Sequence, residues 1–118
     1  MKVGMYIRGN YYQYRGKIGI IIKNYHNDLE IAYKDGVIKT TVSNFIDDNF
    51  DKNGQQYKTS FNIIDLIEVG DYVNGYRVTY VYPNLIKVDS TDIWEIHSHD
   101  IKSIVTKEQF AFVKYEVG

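Results

Sequence analysis

A short repeat constrains the fold of this chain more than any other feature of its sequence. Residues 69–75 (VGDYVNG) repeat residues 3–9 (VGMYIRG), with Val, Gly, Tyr and Gly at the same four places. The second copy follows the apolar run at residues 63–67, and only Glu68 stands between the two. The chain is therefore predicted to contain two copies of one structural unit, joined without a flexible linker.

The residue types favour strands over helices. A chain of 118 residues suits one ordinary domain or two very small ones. Its 12 Tyr residues, together with many Ile and Val, are typical of strands. Ala, the strongest helix former, occurs only at Ala32 and Ala111. The composition predicts an all-β fold.

Turn signals divide the first unit into a meander of four strands. The β-branched run at residues 17–24 predicts one strand. Asp35 and Gly36 indicate a hairpin turn, because both central positions of a type I′ turn need a positive φ. Residues 43–56 break the alternation, and they predict either a short helix capped by Ser43 or a polar excursion held by phenylalanines.

The second unit is shorter and follows the same plan. Its predicted strands lie at residues 71–73, 76–82, 85–88, 93–97 and 101–105. Tyr76, Tyr80 and Tyr82 alternate with other residues, which predicts that this tyrosine row forms one wall of the unit's core. Thr106 is predicted to cap one helical turn. Residues 111–117 predict a last strand, packed across or between the two units.

Short strands with frequent turns indicate small antiparallel barrels. We predict one five-stranded unit at residues 1–67, with an insertion at residues 43–60, and a second at residues 68–118. The alternative is a single mixed barrel or sheet that spans the chain. The tight joint between two units predicts a rigid pair with an apolar seam around Ile64, Leu66 and Val69.

The first unit resembles a known class of small β modules. Residues 3–22 (VGMYIRGNYYQYRGKIGIII) resemble the strand, loop and strand of KOW or Tudor-type SH3-like modules, and residues 15–21 (RGKIGII) resemble the KOW core. This resemblance implies two tandem SH3-like barrels. KOW modules bind RNA or other proteins, so it also implies a binding function.

A second resemblance covers more of the chain. Residues 60–75 (SFNIIDLIEVGDYVNG), together with DIKSIVTKEQF and VKYEV near the end of the chain, resemble a family of small proteins encoded by phages and prophages of Gram-positive bacteria. The resemblance implies an accessory phage gene product. Such products often bind or inhibit host proteins, and anti-CRISPR and other anti-defence proteins are among them. It implies no catalytic residues.

The sequence contains no recognisable enzyme motif. It has no Cys, no nucleotide-binding glycine loop, no serine-hydrolase elbow and no zinc-protease motif. Glu95, His97 and His99 fall on one face of a regular strand and are of metal-ligating types. A third ligand from another segment is not evident, so a solvated strand face is the preferred interpretation. We expect no enzyme activity, no cofactor and no metal.

The strongest contact candidate is the loop between the first two predicted strands. Tyr and Arg dominate binding hot spots, because they bury a large area and keep a polar end. Six residues of these types and Lys form the predicted contact: Arg8, Tyr11, Tyr12, Tyr14, Arg15 and Lys17. One or more of these tyrosines is expected to fold back onto the barrel.

Charge limits the class of partner that is expected, and hydropathy limits the expected location of the protein. Residues 1–40 carry seven basic and three acidic residues, but the net charge of the whole chain is −1, which weakens the case for a nucleic-acid binder. No apolar run approaches the roughly 20 residues that span a bilayer, and the N-terminus lacks the apolar region of a secretory signal. We expect a cytoplasmic protein of the infected cell that binds a host protein. The alternatives are an RNA- or DNA-binding protein and a small virion assembly component.

Overall fold

The computed structural model of the protein describes residues 1–9, 14, 16–51, 54–55 and 57–109. The first sheet contains β1 (Tyr6–Gly9), β2 (Ile18–Tyr25), β3 (Asp28–Tyr33), β4 (Gly36–Thr41) and β7 (Tyr57–Ser60). Helix α1 (Val42–Asp48) and a small hairpin of β5 (Phe50–Asp51) and β6 (Gly54–Gln55) lie between β4 and β7. The second sheet contains β8 (Tyr72–Val73), β9 (Tyr76–Val81), β10 (Leu85–Val88), β11 (Glu95–His97) and β12 (Ile104–Val105).

Both five-stranded sheets are antiparallel and share one strand order. That order is β4-β3-β2-β1-β7 in the first sheet and β11-β10-β9-β8-β12 in the second, so the last strand of each pairs with the first. The prediction of an all-β fold with two five-stranded units and a short helical excursion is confirmed. The alternative of one sheet spanning the chain is wrong. The predicted boundary between residues 67 and 68 falls between the sheets, and the independent folding of each unit stays a prediction.

The sequence repeat marks two copies of the same backbone structure. Gly4 and Gly70 have φ values of 92° and 97°, a conformation that glycine adopts without steric cost. The amide of Gly4 donates to the carbonyl of Ile21 at 2.8 Å, and that of Gly70 donates to the carbonyl of Val78 at 3.0 Å. The amides of Ile21 and Val78 donate back to the residue after each glycine, at 2.9 and 2.7 Å. Each repeat thus starts its sheet in the same way.

The segment between β4 and the second unit differs from its prediction in two respects. Thr41, not Ser43, caps α1, because the Thr41 hydroxyl accepts the amide of Asn44 at 3.0 Å. The predicted insertion at residues 43–60 contains the closing strand of the first sheet, β7. The apolar run after it forms a 3-10 helix at Ile63–Leu66 and pairs with neither sheet.

Each unit has its own hydrophobic core. The buried core residues of the first are Ile7, Tyr14, Ile21, Leu29, Ile31 and Phe45. Those of the second are Ile64, Ile67, Val73, Val78, Ile86, Val88 and Ile96. The two cores are separate sets, so apolar packing within each unit stabilises that unit.

The joint between the units is polar, and the predicted apolar seam is wrong at Val69, which is exposed. Arg8 on β1 is only 1% exposed, and Asp71 is fully buried. The Arg8 guanidinium donates to both oxygens of Asp71 and, through Nη1 at 2.8 Å, to the carbonyl of Leu66. Its Nη2 donates to Glu108 at 2.6 Å. We call these residues, with Glu68, the Arg8 cluster.

Charged neighbours stabilise the ionised forms of Arg8 and Glu68. Burial alone would lower the pKa of Arg8, but its hydrogen bonds and charge interactions with the surrounding carboxylates, Asp71 first, raise it overall. Burial likewise opposes the ionised form of Glu68, yet Lys107 at 2.8 Å, Arg8 and Lys58 lower its pKa. The contacts of the cluster link β1 to residues 66–71 and 107–108.

A short helical turn follows β12 at the end of the described residues. Thr106 begins a helical turn, since its hydroxyl accepts the amide of Gln109 at 3.3 Å, and the Gln109 side chain accepts the amide of Thr106 at 3.0 Å. This reciprocal pair is a capping box, and the prediction of Thr106 as N-cap is confirmed. The predicted strand at residues 111–117 lies outside the described residues. Within the described part of the chain, no helix has the length and apolar character needed to cross a membrane.

Candidate interaction surface

The residues of the predicted contact loop do not form one exposed surface among the described residues. Tyr11, Tyr12 and Arg15 lie outside the described residues. Arg8 and Tyr14 are buried, so neither side chain faces solvent, and their placement on an exposed surface is corrected. Tyr14 packs edge-on against Phe45, with ring centroids 4.9 Å apart.

Lys17 occupies an intermediate position in this predicted set. Its side chain is 24% exposed, and its Nζ lies 2.7 Å from Asp35. Arg8 is withdrawn because Asp71, 63 positions later, satisfies both of its terminal nitrogens. The described part of the predicted loop thus presents Lys17 alone toward solvent, and the contact role of the loop stays a prediction.

A β-bulge changes which residues of β9 face outward. Val78 pairs with Val88, and Tyr80 pairs with Lys87, so Thr79 is the extra residue on β9. Val78 is buried in the core, whereas Tyr80 is 55% exposed. The bulge therefore places two residues of equal parity on opposite faces of the sheet.

The prediction that the tyrosine row forms a core wall is consequently only partly right. Tyr76 packs against the second core. Tyr80 and Tyr82 instead remain largely exposed, with Tyr82 39% accessible to solvent. The alternation rule fails after Thr79 because it assumes an unbroken pleat.

The second unit exposes aromatic side chains at two places, on the outward side of β9 and just before β11. The rings of Tyr80 and Tyr82 lie 4.5 Å apart, and the Nζ of Lys87 lies 5.5 Å from the Tyr82 ring centroid. Trp94, just before β11, is 73% exposed. We give the name aromatic face to Tyr80, Tyr82, Lys87, Glu95 and His97, together with Trp94, which precedes Glu95 in the chain.

Strand pairing fixes the order of polar groups across the aromatic face. Lys87 pairs with Tyr80 on one side and with Glu95 on the other. Cross-strand neighbours of this kind hold their side chains about 5 Å apart. One cation and one carboxylate thus stand side by side next to the aromatic rings.

His97 and His99 lie close together beside the aromatic face. The rings of His97 and His99 stack with centroids 5.9 Å apart. Among the described residues, no three His, Asp or Glu side chains are grouped so that they could hold a metal ion. The histidines therefore add polar and aromatic surface at the edge of the aromatic face.

Sequence reasoning missed the aromatic face, although the sequence holds one signal for part of it. Ile93 and Trp94 stand in the otherwise polar stretch DSTDIWE, where a large apolar side chain has few apolar neighbours. Such a residue is a candidate for an exposed contact. Tyr80 gives no comparable signal, because its exposure depends on the bulge.

Comparison with protein-family models, curated protein sequences and solved structures found no match. The interpretation of the aromatic face therefore depends on its own residues.

The bulge leads to a test of residue placement on β9. Val78→Ala is expected to lower the free energy of unfolding by about 2 kcal/mol, because it leaves a cavity in the second core. Tyr80→Thr is expected to change it by no more than about 0.5 kcal/mol, because the ring is exposed. Urea unfolding followed by circular dichroism measures both values. Equal losses would show that both side chains face the core and that the bulge is absent.

Proposed function

We propose that this protein is a non-enzymatic, phage-encoded interaction protein that binds a host protein in the cytoplasm of the infected cell. We further propose that it inhibits a bacterial defence system in the manner of an anti-CRISPR protein. The observation that carries the binding proposal is the aromatic face, because the second unit leaves the large side chains of Tyr80, Tyr82 and Trp94 exposed. The phage and anti-defence parts are based on the resemblance of residues 60–75 and of the chain's last segments to phage and prophage proteins.

The geometry of the aromatic face suits a protein partner. Tyr and Trp bury large areas and have few rotatable bonds, so ordering them on binding costs little entropy. Tyr80 and Tyr82 already lie in contact, with their rings 4.5 Å apart on a hydrogen-bonded strand end. A partner therefore meets a pre-organised aromatic pair, with Trp94 as a further anchor.

The balance of charge favours a protein over a nucleic acid. Lys87 is flanked by Glu95, so the aromatic face lacks the cationic track that follows a phosphate backbone. One observation favours the second candidate, an RNA- or DNA-binding protein. Lys87 beside the Tyr82 ring is a pairing that can hold a phosphate next to a stacked base.

A pull-down from host lysate, combined with a functional assay, tests the proposal. The tagged wild-type protein is expected to retain one dominant bacterial protein, and the double variant Tyr80→Ala/Trp94→Ala is expected to lose it. In a Gram-positive strain whose CRISPR system destroys a targeted plasmid, expression of the wild-type protein is expected to restore transformation by that plasmid, and the double variant is not.

Two results would contradict the proposal. Identical retained proteins for wild type and double variant would exclude the aromatic face as the contact. Tight binding of labelled single-stranded DNA or RNA that falls steeply with added salt would favour the second candidate. If the plasmid is destroyed despite strong expression and a retained partner, the binding proposal survives and this anti-CRISPR activity does not.

A further inference from the structure

A groove of about 880 Å³ lies between the two units, away from the residues of the aromatic face. One wall is the outward side of β1, β2 and β3, and the other is formed by residues 101–105 with Ile63. We call it the inter-unit groove. Five isoleucines line it: Ile18, Ile20, Ile63, Ile101 and Ile104.

The apolar lining is open to solvent in part. Ile20 is 41% exposed although it stands in the middle of β2. Tyr6 and Ala32 pair with Ile20 from the neighbouring strands and also line the groove. A row of apolar side chains thus crosses the outer side of the first sheet, where a polar face would be expected.

Among the described residues that line the inter-unit groove, most of the charged ones are cationic. Lys17, Lys34, Lys102 and Asp35 contribute to its lining. Lys17 and Asp35 form an ion pair with each other at 2.7 Å. Lys34 and Lys102 are exposed, and neither ammonium has an ion-pair partner within the described residues. The groove therefore offers two free positive charges beside an isoleucine-rich floor.

We propose that the inter-unit groove binds an extended segment of a partner protein in which apolar side chains alternate with Asp or Glu. In an extended segment, successive side chains point to opposite sides. Apolar side chains then contact the isoleucine floor while carboxylates reach Lys34 and Lys102. The volume lies within the range of roughly 300–1,000 Å³ that is typical of ligand sites, and it accommodates a peptide segment.

The Arg8 cluster pre-organises this groove. Arg8 lies on β1 of the first wall, and its partners Asp71 and Glu108 belong to the second unit. Buried ion pairs of this kind fix the two walls relative to each other, so a segment enters a groove of constant width. The groove shares no residue with the aromatic face.

Fluorescence anisotropy with a synthetic probe tests the proposal on the 118-residue chain. The probe is a labelled peptide of about eight residues in which Glu alternates with Val. Wild type is expected to bind it, and Lys34→Glu/Lys102→Glu is expected to bind it about tenfold or more weakly, since two attractive charges become repulsive. Lys39→Glu, an exposed charge outside the groove, is the matched control and is expected to bind like wild type.

Charge reversal and localisation complete the test. A peptide with Lys in place of Glu is expected to bind the double variant and not the wild type. Methyl NMR spectra are expected to show shifts at the five groove isoleucines when the Glu peptide is added. If wild type binds neither peptide, binds both equally, or shifts other methyl groups, the proposal is overturned. Tyr80→Ala/Trp94→Ala is expected to bind the peptide like wild type, so failure here and failure of the aromatic face are separate results.

Discussion

Arg8→Met is expected to lower the free energy of unfolding by about 3–5 kcal/mol, which is the usual cost of removing one partner of a buried ion pair. The substitution preserves most of the apolar stem of the side chain but removes all of its donors. The fully buried Asp71 carboxylate then loses the guanidinium that donates to both of its oxygens. Urea unfolding followed by circular dichroism measures the loss.

The size of this effect follows from the number of buried hydrogen bonds that Arg8 and Asp71 make. Besides Arg8, the Asp71 carboxylate accepts the amides of Glu68 at 2.8 Å and Lys107 at 2.9 Å. The carbonyl of Leu66 accepts from Arg8 and would lose that donor. Met cannot donate to Asp71 or to the Leu66 carbonyl. A buried polar group without a partner costs about 1–3 kcal/mol. Small domains have only about 5–15 kcal/mol of total stability, so the variant should be close to unfolding.

Two further variants keep this prediction testable. Lys23→Met removes an exposed ion pair, in which the Lys23 ammonium lies 3.6 Å from Glu30, and it is expected to cost less than about 1 kcal/mol. Arg8→Lys keeps the positive charge but not the paired geometry, and it should fall between Arg8→Met and wild type. If Arg8→Met costs no more than Lys23→Met, the Arg8 cluster does not hold the two units together.

Local signals in the sequence were sufficient for the two sheets. Gly4 and Gly70 mark equivalent backbone positions with positive φ, and the repeat therefore predicted two units that begin alike. The Thr106 cap was predictable for the same reason, since its partner Gln109 stands only three residues away. Features that depend on residues close together in the chain, such as turns and caps, were therefore predictable from the sequence.

The joint between the units was not predictable, because its partners are far apart in the chain and differ between the repeats. Arg8 corresponds to Asn74 in the second copy, and Asp71 corresponds to Met5 in the first. The positions that distinguish the copies thus carry their specific contacts: Asn74 accepts the amides of Lys102 and Ser103 within its own unit. Reading Arg8 as an exposed contact residue was reasonable from its neighbours and wrong because of a carboxylate 63 positions later.

The aromatic face was missed for a different physical reason. Thr79 is a single extra residue on β9, and after it the side chains point to the opposite face of the sheet from the one that regular alternation predicts. No turn residue marks the bulge, so a regular alternation assigns Tyr80 to the core. The candidate site thus depended on strand register, which a single sequence specifies weakly.

Trp94→Ala and Tyr80→Ala are each expected to weaken binding of the host partner by at least about thirtyfold, which corresponds to roughly 2 kcal/mol and is typical of aromatic hot spots. Trp94 offers the larger surface, since it is 73% exposed, and Tyr80 contributes through its contact with Tyr82. Titration calorimetry against the partner recovered in the pull-down gives the dissociation constants.

Tyr25→Ala supplies the matched control, because it removes the same residue type at a similar exposure from the first sheet. Tyr25 is 65% exposed and packs only edge-on against His26, with ring centroids 4.0 Å apart among the described contacts. We expect it to change the dissociation constant by less than about twofold, because isolated exposed apolar residues are ordinary surface. Stability should stay within about 0.5 kcal/mol of wild type for Trp94→Ala, since an exposed ring contributes little to folding. A loss of binding without a loss of stability therefore assigns the contact to the aromatic face. Equal effects of Tyr25→Ala and Trp94→Ala on the dissociation constant would mean that the partner recognises no particular face of the protein.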